Sequence, residues 1–134
     1  MTTQLPPTHR ALVQHVYVDP LQVETIPTPQ PTPGSAIVHV LATNVVSYKG
    51  DIYNGTRKYL YQTPLVTGTS AIGRIAAVGP DATTLAPGQL VFVDCVIRGR
   101  DDPSAIFLSG MTEGGSEGSR KLTRGEGRDS TYAE

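Results

Sequence analysis

The sequence predicts a mainly β fold, and three observations carry that expectation. Two apolar runs, residues 70–78 (SAIGRIAAV) and 90–96 (LVFVDCV), are rich in residues that strands favour: Ile72, Ile75 and Val78, then Val91, Phe92 and Val93. Between them lie two turn signals, Gly79-Pro80-Asp81 and Pro87-Gly88-Gln89. Glycine reaches backbone angles that other residues avoid and proline presets its own φ, so each cluster marks a reversal. The composition agrees: Gly 14 and Pro 11 are high, and a 38% hydrophobic share is low for a compact domain.

The same totals bound the function. A chain of 134 residues suggests one domain, burying roughly two-thirds of its unfolded surface. A net charge of −1 gives no electrostatic reason for nucleic acid or an anionic membrane as partner. Cys95 is the only cysteine, which excludes an intrachain disulfide and a cysteine-based zinc cluster. The opening MTTQLPPTHR has no apolar core followed by a cleavage site, and no run approaches a membrane span. Asn54-Gly55-Thr56 matches a glycosylation acceptor without a secretory signal to make it meaningful. The expectation is a cytoplasmic protein.

Taken in order, residues 1–9 are polar and proline-bearing and read as a flexible arm. Residues 10–18 (RALVQHVYV) form a first strand, ended by Asp19-Pro20, and residues 21–26 a shorter second one. Pro27, Pro29, Pro31 and Pro33 cannot donate to a ladder and stiffen an extended linker. Gly34 leads into a strong strand over residues 35–43 (SAIVHVLAT). In the following NVVSYKGDIYNG, Ser47 is placed to cap one short helical turn, with Asp51 near its start favoured by the helix dipole. Residues 57–63 read as a loop or edge, followed by the two strands already described. Residues 105–108 offer a small apolar patch. From 109 to 134 only Met111, Leu122, Tyr132 and Ala133 suit a core. That glycine, serine and charge-rich tail is expected to be mobile, because it buries too little to offset its ordering entropy.

Most candidate chemistry has a plainer structural explanation. Gly125 to Ser130 begins like a dinucleotide fingerprint but lacks its last glycine and a preceding strand. Gly68 and Gly73 have the spacing of a phosphate loop without the Lys-Ser/Thr that should follow, so a turn and close strand packing explain them better. His15 and His39 fall on predicted strands and His9 in the arm, with no carboxylate or cysteine at ligand spacing, so no metal site is expected. Cys95 reads as an inert strand cysteine and Asp94 as a surface residue. One cluster stands out: Ser47, Tyr48, Lys49, Asp51 and Tyr53, just after a strand end. Hydroxyls and a cation there can donate hydrogen bonds to a developing oxyanion. Residue type alone favours a capping role over that one.

Several stretches together resemble the amino-terminal half of the medium-chain dehydrogenase/reductase superfamily, the alcohol dehydrogenase and quinone or enoyl reductase group. They are ETIPTPQPTPGSAIVHVLAT, SYKGDIYNG and TPLVTGTSAIGRIAAVGPDATTLAPGQLVFV. The P-x-V-x-G, G-R-I-A-A-V-G-P-D-A and P-G-Q-L-V signatures are the most specific, the likeness covers about residues 10–97, and KLTRGEGRDSTYAE looks like the family's approach to a later strand. The resemblance implies a GroES-like, partly open β-barrel with short helices over residues 10–108, with residues 109–134 an incomplete end of the same domain. It also implies truncation before a Rossmann domain.

Its departures imply chemistry too. Zinc-bearing relatives place a cysteine where Val46 stands and read Gly-His-Glu where this chain has Gly68-Thr69-Ser70. Val, Thr and Ser are poor zinc ligands, so the resemblance points to zinc-independent reductases and to no metal. In those, NADP or NAD supplies hydride for carbonyl or activated C=C reduction, or accepts it in alcohol oxidation. Tyr48 corresponds to the proton-relay Ser or Thr and, as a phenol with a reference pKa of about 10, is a donor at neutral pH. The implied catalytic residues are thus Tyr48, Ser47 and Lys49; Val46, Tyr53 and Thr69 would bind substrate; the cofactor-binding residues are unknown. The expected partners are a small-molecule substrate and a homo-oligomer or a full-length relative. Without a cofactor domain the chain is expected to be inactive alone. The other reading of the same resemblance is a non-catalytic GroES-like binding or regulatory module.

Overall fold

The computed structural model describes residues 4–125 and 129–134. Three small sheets organise it. In the first, β1 (Thr8–Gln14) is flanked by β2 (Gln22–Pro27) and β4 (Leu65–Val66), antiparallel to both. In the second, β5 (Ala71–Val78) is central between β3 (Ala36–Thr43) and β6 (Leu90–Val93). The third pairs β7 (Val96–Arg98) with β8 (Ile106–Leu108). Two helices, α1 (Lys49–Tyr53) and α2 (Glu117–Arg124), complete a mainly β fold with short helices, as expected.

Alternation explains why β5 sits in the middle. Ala71, Gly73 and Ile75 face inward while Ile72 and Arg74 face outward, a period of two that fixes the register. The two apolar runs of the sequence pair through Ala71↔Val93, Ile72↔Phe92, Gly73↔Val91 and Arg74↔Leu90. Leu41, Leu90 and Phe92 stay more than half exposed, so this sheet is covered on one side only and the barrel is partly open.

Two apolar clusters form the core. Ala11, Val13 and Val66 pack between β1 and β4. Ile52, Tyr53, Tyr61, Leu65 and Met111 pack beneath α1, with the Tyr61 ring edge-on to Tyr17 and Tyr53 at 5.0 and 6.1 Å. Gln14, wholly buried, ties this cluster together. Its Nε2 donates to the Asp19 and Tyr53 carbonyls at 2.8 Å each, and its Oε1 accepts from the Tyr61 hydroxyl at 2.6 Å.

Several boundaries differ from expectation. Strand β1 begins at Thr8, inside the stretch read as an arm, and ends at Gln14 rather than 18. It stops because Gln14 turns inward and the Asp19 amide closes a turn on the Val16 carbonyl. His15 is therefore off the strand, exposed and paired with Glu24 at 2.6 Å. Tyr48, not Ser47, occupies the cap position of α1, and it makes no capping side-chain bond. Residues 1–3 of the predicted arm lie outside the described residues, as do residues 126–128 of the fingerprint-like run.

The larger difference is the tail. Residues 109–134, expected to be mobile, carry α2 and a return to the first sheet. Ser116 caps α2 by accepting from the Ser119 amide at 3.0 Å, and the Ser119 hydroxyl reciprocates to the Ser116 amide. Ala133 then bridges Ala11, the Leu12 amide donates to the Tyr132 carbonyl at 2.9 Å, and Arg10 pairs with Glu134. Buried Ser119, Thr123 and Thr131 do this packing. A count of apolar residues alone overlooks them.

Candidate functional site

The site begins with a one-turn helix that points a lysine inward. Residues i, i+3 and i+4 share a helix face, and in α1 those are Lys49, Ile52 and Tyr53, all three buried. Ile52 and Tyr53 anchor the turn in the apolar cluster, which carries Lys49 beneath the surface at 5% exposure.

The Lys49 ammonium donates to Thr69 Oγ1 at 2.6 Å, and the Thr69 hydroxyl donates onward to Asn44 Oδ1 at 3.0 Å. The Tyr132 ring lies 5.7 Å from Nζ, within reach of a cation–π attraction, and its hydroxyl donates to the Asn44 carbonyl at 2.7 Å. Among the described residues no carboxylate pairs with Lys49. Burial holds its pKa below the ordinary lysine value, with the nearby Cys95 sulfur acting weakly the other way.

Tyr53 braces the floor. Its hydroxyl donates to the Gly110 carbonyl at 2.6 Å and accepts from the Gly68 amide at 2.9 Å. Burial first, then the Tyr132 and Tyr61 phenols, push its pKa well above the ordinary tyrosine value, against a smaller opposing effect from the Gly68 N–H. Gly68 and Gly110 both have positive φ, +102° and +66°. A Cβ on Gly110 would stand 1.8 Å from the Gly68 carbonyl oxygen. Gly110 can approach this closely only without a side chain, and a Cβ on Gly68 would instead meet Thr131 and Tyr132.

These groups border a cavity of about 350 Å³ whose walls include Leu21, Val45, Lys49, Tyr53, Asn54 and Tyr132. A larger open groove of about 860 Å³ runs between β1, β3 and residues 131–134, but of these site residues it meets only Tyr132. We take the smaller cavity as the candidate site, because the buried Lys49 lines it.

The structure thus brings Lys49, Thr69 and Tyr53 together. It keeps Ser47 and Tyr48 apart from them: both are exposed, neither borders the cavity, and the Tyr48 ring stacks under the Arg57 guanidinium at 4.3 Å. Val46 is half-buried beside the cluster, its carbonyl accepting the Lys49 amide at 3.0 Å. Sequence reasoning missed Asn44 and Tyr132. Nothing in the local pattern marks Asn44, and Tyr132 was assigned to the mobile tail. Cys95 is half-buried, and burial followed by Asp94 raises its pKa, which fits an unreactive thiol.

Val46 and Thr69 stand where the sequence resemblance places zinc ligands. Val46 has no donor atom, and the Thr69 hydroxyl is engaged by Lys49 and Asn44. An ammonium 2.6 Å from that hydroxyl would repel a divalent cation. Among the described residues no group of three or more His, Cys, Asp and Glu could hold a metal. Neither helix N-terminus offers a phosphate cradle. Helix α1 is a single turn, and α2 is capped by its own Ser116.

Comparison with known proteins gives consistent results. The alcohol dehydrogenase GroES-like domain profile matches residues 32–128. The chain is 30% identical to alcohol dehydrogenase 1 of Caenorhabditis elegans over 83 residues, 62% of this chain and 24% of that protein. It spans about a quarter of the length of the curated relatives it matches. A crystal structure from Sinorhizobium meliloti 1021, provisionally named an alcohol dehydrogenase, superposes with a TM-score of 0.68 at 24% identity. That match covers 96% of this chain and 37% of that one. The crotonyl-CoA carboxylase/reductase AntE in complex with NADP gives a TM-score of 0.66 at 20% identity, covering 97% and 35%. The partly open GroES-like fold expected from the sequence is the fold observed.

Proposed function

This chain belongs to the alcohol dehydrogenase GroES-like domain family, and on that premise we propose that it forms the substrate-side wall of a zinc-independent oxidoreductase linked to NADPH or NADH. The reaction is reduction of a carbonyl or an activated C=C bond, or the reverse oxidation of an alcohol.

One observation supports this above the others: Lys49, buried and hydrogen-bonded to Thr69 with no carboxylate partner among the described residues, lines the cavity. Burying an unpaired cation costs several kcal/mol, and an apolar residue would pack α1 without that cost. Such a group is suited to stabilising negative charge that develops on a substrate oxygen. Lys49 therefore takes the electrophilic role, with Thr69 orienting its ammonium and Asn44 orienting Thr69. Tyr132 walls off water, and Val46 and Tyr53 shape the floor. Ser47 and Tyr48, at the outer end of α1, take second place as proton donors. A relative with NADP bound supports that coenzyme. On this reading the described residues hold and polarise the substrate.

Metal analysis and turnover test the reading. The purified 134-residue chain should take up no saturable zinc on dialysis and should not oxidise NADPH with an enone. Stoichiometric zinc, or turnover without added protein, would overturn it.

A further inference from the structure

Lys49 also makes the cavity selective for charge, a property separate from catalysis. A protonated lysine offers three donors and no acceptor, and the protein engages one of them, through Thr69. Among the described residues no hydrogen bond engages the other two, and Lys49 lines the cavity. The rest of the wall is largely apolar, with Leu21, Val45 and the rings of Tyr53 and Tyr132. Its one carboxylate among the described residues, Asp19, belongs to an exposed residue, whereas Lys49 is buried. At about 350 Å³ the space is at the small end of ligand cavities.

From this geometry we propose that the cavity binds small carboxylic acids with a flat apolar body, as ligands that compete with the neutral carbonyl substrate. A carboxylate supplies the missing counter-charge and can accept from the other two N–H groups, whereas a ketone oxygen brings only a dipole. The ammonium is an ionised donor to either ligand, but only the carboxylate brings an opposite charge to meet it, and that Coulomb attraction is what separates the two. Acids shaped like the substrate would then restrain the enzyme without reacting. The inference rests on reading this cavity as the substrate wall.

A pair of isosteres tests it. Cinnamate and benzylideneacetone share a styryl body and differ in a carboxylate against a methyl ketone. Isothermal titration of the 134-residue chain should show cinnamate binding at least tenfold tighter, with backbone amide shifts in NMR spectra at Val45, Gly50, Asn54 and Tyr132. Lys49→Met should remove at least that tenfold advantage, and Lys49→Arg should retain part of it. Equal binding of the two ligands overturns the inference and leaves the functional reading intact. Binding of cinnamate alone overturns the competition with a carbonyl substrate and counts against that reading as well. Binding of neither, or cinnamate shifts that avoid the cavity, overturns the inference.

Discussion

Lys49 Nζ lies 2.6 Å from Thr69 Oγ1, a buried contact between residues twenty positions apart in the chain. It joins α1 to the loop between β4 and β5, and so fixes the cation where β1, α1 and the returning tail meet. The arrangement is unfavourable for packing alone, because the ammonium has shed most of its water and gained no counter-charge.

Removing the charge should therefore not harm the fold. Lys49→Met should leave stability unchanged or raise it by about 1 kcal/mol, since apolar replacement of buried ionic groups is often neutral or stabilising. Thr69→Val leaves a Lys49 N–H and Asn44 Oδ1 without their partner, and should cost about 1–2 kcal/mol. Urea unfolding of both variants checks the pair. A Lys49→Met chain that loses 2 kcal/mol or more would mark the lysine as a structural strut.

Tyr53 should be sensitive in the opposite way. Its hydroxyl serves the Gly110 carbonyl and the Gly68 amide at once, so Tyr53→Phe leaves two buried backbone groups unpaired. A loss of about 2–3 kcal/mol is expected. Gly110→Ala should be worse, because its Cβ would meet backbone rather than a movable side chain. Soluble expression and urea midpoints report both. A Gly110→Ala protein of native stability would mean that the crossing of these two segments is wrong.

Stability on the alkaline side should carry two opposing signatures. Burial, then Tyr17, push the Tyr61 phenol up to about 12 against a smaller effect from its bond to Gln14, and Tyr53 is raised as well. In the unfolded chain these phenols ionise near 10. Their contribution is complete below that pH, and that of Tyr61 is lost as pH rises through about 12. Lys49 acts with the other sign. Its folded value lies below 10.5, so the folded chain binds fewer protons than the unfolded one in that interval. Its penalty on the folded state fades as pH rises toward 10.5. The stability difference between wild type and Lys49→Met, measured by urea unfolding across pH 7–11, should shrink as pH rises. A difference independent of pH would mean that Lys49 is solvated.

Much of this was legible in the chain, and the failures are instructive. The β5–β6 pairing follows from two strand-favouring runs with turn residues between them, because alternation of inward Ala71, Gly73 and Ile75 with outward Ile72 and Arg74 is a local property. The Ser47–Tyr53 cluster was visible as a group of polar residues after a strand end. Its internal ranking was not, because Tyr48 and Lys49 are neighbours and only the direction of a single helical turn decides which one faces inward. That direction comes from Ile52 and Tyr53. The tail was misjudged because its packing uses Ser119, Thr123 and Thr131, small polar residues whose hydroxyls bond the Ser116 and Arg120 carbonyls and the Thr43 hydroxyl. Tyr132 enters the site through backbone pairing with Leu12 and Thr67, a long-range contact that no local pattern announces.

The most direct test of the lysine as the polarising group is the carbonyl ¹³C resonance of [1-¹³C]2-cyclohexen-1-one bound to the metal-free chain. Polarisation by Lys49 should move the bound resonance downfield in wild type, whether or not a chelator is present, and Lys49→Met should abolish the movement while Tyr48→Phe leaves it. A downfield shift that persists in Lys49→Met, or that appears only once zinc is added, would contradict it.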